Sequence, residues 1–210
     1  MMDNFNLTKN SNLFIISAPS GAGKTSLVRS ISSSCDFIAP SISFTTRKKR
    51  DSEISNKDYF FITEEAFNRK VINNEFLESQ RVYGNYYGTG IKETSNLLKN
   101  GKDVILEIDY KGMMRVKQIF PLAISIYIVP PSIESLKERL SIRGQDTDEV
   151  IKHRMKSSIH ELVYSKFADY VVVNDDFRKA SRELFNIIIT NKVNSNSLNT
   201  WLKDIAKIYN

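Results

Sequence analysis

Lys24 and Thr25 stand directly behind two glycines in the run Ser17-Ala18-Pro19-Ser20-Gly21-Ala22-Gly23-Lys24-Thr25-Ser26, a spacing suited to gripping a polyphosphate. Gly21 and Gly23 let the backbone turn its N–H groups inward on an anion, and the N-terminus of a following helix adds its dipole. Lys24 would reach the β- and γ-phosphates of a nucleoside triphosphate, and the Thr25 hydroxyl would ligate Mg²⁺. The context supports this, because the run follows the short apolar stretch Leu13–Ile16 and precedes a helix-compatible stretch from Lys24 to Ser33. Ala18 stands where such loops usually carry their first glycine, a change that a negative φ tolerates. A loop of this kind identifies a phosphoryl donor and leaves the acceptor open.

Groups that could hold an acceptor lie further on. Arg47-Lys48-Lys49-Arg50 by itself reads first as a solvated basic stretch or a nucleic-acid contact, and otherwise as a guanidinium clamp for a phosphate dianion. Glu78 in isolation reads as a surface acid. Asp109 closes the apolar run Val104–Ile108, where P-loop enzymes carry an acidic residue at a strand's carboxyl end, and Glu107 would point to the same strand face two residues earlier. Arg139, Arg143 and Arg154 fall in a strongly charged stretch, where pairing with Glu138, Asp148 and Glu149 along helix faces is the alternative to phosphate binding.

The elements that must position these groups follow from apolar patterning. Leu13–Ile16, Val104–Ile108, Ala123–Val129 and Tyr170–Val173 are short apolar runs, each followed by helical spacing. This alternation predicts an α/β fold with a parallel sheet flanked by helices. Residues 42–95 break the pattern with strand signals at Tyr59–Ile62 and Phe76–Val82 and a helix from Glu64 to Asn73, and read as an inserted subdomain. Residues 132–164 read as a mobile helical hairpin broken at Gly144, its second helix opening near Asp146–Glu149. Leu198, Trp201, Leu202, Ile205 and Ile208 form one stripe of a final helix over residues 197–209.

The 210 residues, 41% hydrophobic, suffice for one domain with appendages. A net charge of +6 suits nucleic acid and suits an enzyme gripping two nucleotides. One cysteine, Cys35, excludes an intramolecular disulfide framework, and with two histidines leaves no zinc cluster. No apolar run approaches the ~18 residues of a membrane helix, so a cytoplasmic protein is expected, with no membrane partner.

Taken in order, Ser41-Ile42-Ser43-Phe44-Thr45-Thr46-Arg47-Lys48-Lys49-Arg50, Asp58-Tyr59-Phe60, Glu75-Phe76-Leu77-Glu78, Gly84-Asn85-Tyr86-Tyr87-Gly88-Thr89, Asp109, Arg143-Gly144, Arg154 and Val173-Asn174-Asp175-Asp176 resemble the motifs of guanylate kinases over residues 12–190. The resemblance implies a P-loop core (12–41, 96–131 and 165–210), a GMP-binding subdomain (42–95) and a lid (132–164). It implies transfer of a phosphoryl group from Mg²⁺-ATP to GMP, and by extension dGMP, with these two nucleotides as partners and no nucleic acid. ATP would be held by Ala18, Pro19, Ser20, Gly21, Ala22, Gly23, Lys24, Thr25, Ser26, Arg139 and Asn174, the last beside adenine. GMP would be held by Arg47, Arg50, Tyr59 and Tyr87 at its phosphate, by Ser43, Glu78 and Thr89 at its base, and by Asp109. Glu78 suits guanine because a carboxylate matches the N1–H and N2–H₂ donors that adenine lacks. Lys24, Arg47, Arg143 and Arg154 would form the catalytic set, Arg143 and Arg154 swinging onto the ATP phosphates as the lid closes. Asp109 is placed to bind GMP, to position Mg²⁺ through water, or both. His153 and His160 are expected to pack in the lid rather than to catalyse, because the acceptor phosphate, with a second pKa of about 6, needs no base.

Three rival readings remain at this point. One is a monophosphate kinase for AMP, UMP or dTMP, against which Ser43, Glu78 and the Gly84–Thr89 run speak. Another is an inactive module that binds proteins, against which Lys24, Thr25, Arg143 and Arg154 speak. The last is a nucleic-acid-binding protein, suggested by charge alone.

Overall fold

Leu13–Ser17 (β1), buried at all five positions, is the middle strand of a five-stranded sheet in a computed structural model that describes residues 11–82, 84–141 and 148–208. The side chains at 148–151, 153 and 193–208 lie outside that description, as do Arg143, Gly144 and Asp146 entirely. With Ile38–Pro40 (β2), Asp103–Glu107 (β7), Ile124–Val129 (β8) and Tyr170–Val173 (β9), the sheet order is β2-β7-β1-β8-β9, and every pairing is parallel. A parallel sheet covered on both faces needs apolar residues at consecutive positions, which is why these strands read as unbroken apolar runs. Phe14 and Ile16 face Leu27, Val28 and Ile31 of helix α1 (Lys24–Ser34) and Ala180, Leu184 and Ile188 of helix α7 (Phe177–Ile208). Leu13 and Ile15 face the opposite way, onto Leu98 of α3 (Ile91–Lys99) and Met113 and Val116 of α4 (Tyr110–Ile119). Each such fully buried aliphatic side chain contributes roughly 1.5–3 kcal/mol of transfer free energy.

Because the strands are parallel, their carboxyl ends share one rim. Ser17, Glu107, Val129 and Val173 end there, so the glycine-rich run, Asp109 and Asn174 all emerge from the same edge. The opposite rim carries an anchor instead: buried Asp103 accepts from the Asn12 N–H at 2.8 Å and from Lys192 Nζ at 2.9 Å, tying α7 across the sheet.

A second sheet, ordered β4-β3-β6-β5, is built from Phe44–Thr45 (β3), Phe60–Phe61 (β4), Phe76–Val82 (β5) and Asn85–Gly90 (β6). The helix α2 (Glu64–Ile72), capped by Thr63 accepting from the Ala66 N–H, buries Phe67 in a stack against Phe76 and Tyr86. Beyond β8, Ile133–Ser141 (α5) buries Leu136 and Leu140, and Asp148–Leu162 (α6) leads into a 3₁₀ turn at Val163–Phe167.

The four core runs and the strand at Phe76–Val82 lie where the sequence patterning puts them, to within a residue at each end. Other elements differ. The strand expected over Tyr59–Ile62 is only Phe60–Phe61, since β4 meets β3 for just two rungs. The strands β2, β3 and β6 and the helix α3 carry no legible signal, because β2 is three residues ending in proline and β6 has two glycines among its six residues. The α3 helix also runs across position 95, where the sequence reading ends the insertion. The final helix is not a separate piece over 197–209, for α7 runs unbroken from Phe177 to Ile208, and its predicted stripe falls outside the described side chains.

Candidate active site

The glycine-rich loop joins β1 to α1 as the spacing predicts. Gly21 and Gly23 have φ of +90° and +92°, which non-glycine residues rarely adopt, while Ala18 is not among the positive-φ residues. Gly23 is fixed a second way, since a Cβ there would lie 2.4 Å from Asn174 Nδ2. Asn174, buried at the end of β9, donates from that nitrogen to the Ala22 carbonyl at 2.7 Å and so braces the loop from the far strand. Residues Ala18 to Ser26, except the buried Ala22, line a concave cradle at the start of α1. Lys24 Nζ donates to the Ile108 carbonyl at 2.9 Å, which aims the ammonium across the sheet rim toward β7.

Thr25 Oγ1 donates to Glu107 Oε1. A hydroxyl beside a carboxylate supplies the hard oxygen donors suited to Mg²⁺ that keeps waters and phosphate oxygens in its shell. Among the described residues no group of three or more His, Cys, Asp or Glu side chains could hold a metal ion.

Lys24 also forms part of the wall of a cavity between the two sheets, together with Ser43, Tyr59, Glu78, Gln80, Val82, Tyr87, Glu107, Ile108 and Asp109. Seven of the predicted residues thus meet there: Lys24, Ser43, Tyr59, Glu78, Tyr87, Asp109 and the weaker candidate Glu107. The expectation that Glu107 and Asp109 share a strand face needs correction. The strand ends at Glu107, and Asp109 is the N-cap of α4, its Oδ1 accepting from the Gly112 N–H at 2.8 Å. Both carboxylates nonetheless reach the cavity.

Glu78 is 8% exposed, and Thr89 Oγ1 donates to its Oε1 at 2.7 Å. The two are in register across β5 and β6, just after a register shift between Phe76 and Glu78. Burial pushes the Glu78 carboxyl up to about 7, the Thr89 hydroxyl opposing and the Asp109 charge adding to the rise. Tyr59 is likewise raised, by burial and then by the Glu107 charge.

Arg47 Nη2 and Nη1 donate to Glu53 Oε1 and Oε2 at 2.6 and 3.0 Å, and its guanidinium lies 5.4 Å from the centre of the Tyr59 ring. The Glu53 bond raises Arg47 and the Tyr87 hydroxyl contributes in the same direction, which places Arg47, Tyr59 and Tyr87 together. Arg50 is exposed, and its backbone N–H donates to Glu53 Oε2 at 2.9 Å.

From the helical pair, Arg154 Nη2 donates to Ser20 Oγ at 2.9 Å, and Ser158 Oγ to the Ser20 carbonyl at 3.2 Å. Arg139 Nη2 donates to the Asn174 carbonyl at 2.9 Å. Both arginines therefore border the phosphate loop. Arg143 lies outside the described residues, as does the side chain of His153. His160 packs edge-on to Tyr110 and beside Tyr164, in keeping with a packing role.

The guanylate kinase family profile matches residues 10–191. The chain belongs to the guanylate kinase family. It is 48% identical over 177 residues to a guanylate kinase of Coxiella burnetii, covering 84% of this chain and 86% of that one. It is 44% identical over 182 residues to one of Legionella pneumophila (strain Lens), covering 87% of each. Its fold superposes on the crystal structure of guanylate kinase from Anaplasma phagocytophilum with a TM-score of 0.71 and 29% identity, covering 89% of this chain and 88% of that one. A guanylate kinase is a phosphotransferase, and this chain has the α/β fold of that family.

Three groups around these residues of the guanylate kinase chain escape a reading of the sequence. Glu53 lies six residues beyond Arg47, and only the folded loop shows that it meets both guanidinium nitrogens. Gln80 lines the cavity beside Glu78 with no motif to mark it. Glu161, near the end of α6, has its carboxyl pushed up to about 7 by burial and the Asp109 charge, with Lys24 and Lys111 opposing. Tyr127 holds that residue's backbone in place, its hydroxyl donating to the Glu161 carbonyl at 2.7 Å.

Proposed function

We propose that this chain is an ATP:GMP phosphotransferase that converts GMP, and dGMP by the same contacts, to the diphosphate at the expense of Mg²⁺-ATP. The observation that carries the proposal is the shared wall: Lys24 of the phosphate loop and buried Glu78 line one cavity, so donor cradle and acceptor pocket open onto each other. In-line transfer needs this proximity, and the reaction asks mainly for positioning and positive charge.

ATP lies with its phosphates in the Ala18–Ser26 cradle, between Lys24 and the arginines Arg139 and Arg154, with Asn174 beside the adenine. Arg143 is assigned there too, from the sequence alone. GMP enters the cavity with its base against Ser43, Glu78 and Thr89, where the carboxylate accepts from guanine N1–H and N2–H₂. Its phosphate meets Arg47, Arg50, Tyr59 and Tyr87. Asp109 faces the same nucleotide from the cap of α4. Thr25 and Glu107 fit Mg²⁺, which when bound would neutralise charge on the donor phosphates. Lys24, Arg47, Arg143 and Arg154 supply the charge that stabilises the transferring group, and the acceptor phosphate, largely ionised at neutral pH, attacks without a general base. Substrates of this kind fit a cytoplasmic enzyme.

The test is an acceptor panel of GMP, dGMP, AMP, UMP and dTMP with Mg²⁺-ATP. GMP should be turned over fastest, because a site built around guanine's donors rejects mispaired bases by a factor of about 10⁴ or more. Faster turnover of AMP than of GMP would overturn the assignment.

A further inference from the structure

The cavity between the two sheets holds a polar side chain that the assignments above leave unused. Gln80, half-buried on β5, lines it two residues beyond Glu78 and on the same strand face. Among the described residues its amide has no hydrogen-bond partner, whereas the Glu78 carboxylate has Thr89. A primary amide facing a cavity with its carbonyl and N–H₂ unpaired suits a ligand group that can both donate and accept.

Strand register decides which part of a nucleotide that group meets. The three residues assigned to the base share one rung of the second sheet. Thr89 is opposite Glu78, and Ser43 precedes Phe44, whose partner on β6 is Gly88, so Ser43 falls level with Thr89. Two residues along, about 7 Å away, Gln80, Tyr87 and Thr45 form the next rung on that face. Arg47 leaves the chain two residues beyond Thr45, its guanidinium lying over the Tyr59 and Phe61 rings. A nucleotide with its base on the Glu78 rung and its phosphate at Arg47 and Tyr87 therefore carries its ribose past Gln80. The other polar groups of that rung are engaged, since Thr45 Oγ1 donates to the Tyr86 carbonyl at 2.9 Å and the Tyr87 hydroxyl lies beside the Arg47 guanidinium.

We propose that the Gln80 amide binds the 2′-hydroxyl of the acceptor ribose and makes the site prefer GMP to dGMP. The proposal rests on the ATP:GMP assignment above and deepens it, because base and phosphate contacts are common to the two nucleotides and this one is lost with the 2′-oxygen. A ribose hydroxyl both donates and accepts, so it pairs with either end of the amide. Neutrality matters as well. Glu78, Glu107 and Asp109 already line the cavity, and a further carboxylate would repel an anionic nucleotide, whereas an amide reads a hydroxyl without adding charge. Because Gln80 is half-buried and open to water, the expected preference is about tenfold, the scale of one net hydrogen bond. A sealed site that left its own polar groups unpaired would discriminate more strongly.

The test is steady-state kinetics of the full chain with Mg²⁺-ATP and GMP, dGMP or 3′-deoxyGMP as acceptor, on wild type and on Gln80→Met, which keeps the side chain's length and removes its amide. Wild type should show a kcat/KM about tenfold higher for GMP and 3′-deoxyGMP than for dGMP. Gln80→Met should lower the first two about tenfold and dGMP far less, bringing the GMP:dGMP ratio near one. Gln80→Ala should bring the ratio to the same value, and thermal melts should show both variants folded. A ratio that neither substitution changes overturns the proposal, whether both values hold or both fall together, the second pattern marking a contact to the phosphate. Lost discrimination against 3′-deoxyGMP in place of dGMP also overturns it, by putting the amide at the 3′-hydroxyl. A wild type that phosphorylates none of these guanine nucleotides overturns the ATP:GMP assignment itself and this proposal with it, a result read before any variant is made.

Discussion

Thr89 Oγ1 hydrogen-bonds Glu78 Oε1 at 2.7 Å, and this one bond does not offset the cost of burying the carboxylate, since Glu78 is pushed up to about 7. A carboxyl whose folded pKa is raised contributes stability that is fully present below its unfolded value, 4.5, and lost as pH rises through about 7. Glu78→Gln removes the ionisation while keeping the shape. The ligand-free variant should therefore gain a few kcal/mol on the wild type between pH 4.5 and pH 7.5. Denaturant melts at those two pH values check it, and parallel stability curves for the two proteins would contradict it. Glu161, raised in the same direction, is common to both proteins and cancels in the difference.

The phosphate loop was legible in the sequence because its parts are local: strand, turn and helix lie within about twenty residues, and a positive φ at Gly21 and Gly23 is a property of the chain itself. The acceptor pocket was not legible in that way. Ser43 and Tyr59 stand just before β3 and β4, Glu78 and Tyr87 lie on β5 and β6, and nothing in composition or periodicity joins them; only the likeness to a known family did. Glu107 and Asp109 show an intermediate case. Strand periodicity put them on one face for a reason that fails, because the strand stops, yet the turn into α4 returns Asp109 to the same cavity. Glu53 and Glu161 were silent because their significance lies in what tertiary folding sets against them.

Arg47 is held at two points by Glu53, with side-chain exposures of 17% and 13%, so the pair is shielded more than an ordinary surface bridge. The guanidinium has five donors, and Glu53 does not exhaust them. In the proposed reaction Glu53 would be a positioning residue that presents Arg47 to the acceptor phosphate. Glu53→Ala is expected to raise the KM for GMP about tenfold, the scale of one charge-assisted hydrogen bond, with a smaller change in kcat and none in the KM for ATP. Glu53→Gln, able to accept one of the two bonds, should fall between. Steady-state kinetics on both substrates checks this, and a fall in the KM for GMP would show Glu53 to be a competitor instead.

Gly23 meets two separate constraints, its φ of +92° and the Asn174 side chain 2.4 Å from where a Cβ would sit. Gly23→Ala should destabilise the protein by about 1–3 kcal/mol through backbone strain and weaken ATP binding by displacing Asn174 from the Ala22 carbonyl. Adding Asn174→Ala removes the clash and leaves the strain. The double variant should thus be less destabilised than the two single effects sum to. Thermal melts of all four proteins give the coupling, and strict additivity would mean that Asn174 does not press on the loop.

The raised Glu78 carboxyl carries a consequence for binding as well as for stability. In the ligand-free site it is about half protonated near neutral pH. Guanine N1–H and N2–H₂ are donors and favour the ionised form, so a bound GMP lowers the Glu78 pKa and expels a proton. Affinity for GMP should then rise with pH up to about 7, by up to tenfold for each pH unit below the free-site value, and level off above it. Because the phosphate of GMP also ionises near pH 6, the comparison must be made against Glu78→Gln, which binds the same ligand without the carboxyl. Calorimetry in buffers of different ionisation enthalpy reads the protons directly. Wild type should release more protons on binding GMP at pH 6.5 than the Gln variant does, and equal release would mean that Glu78 does not meet the base.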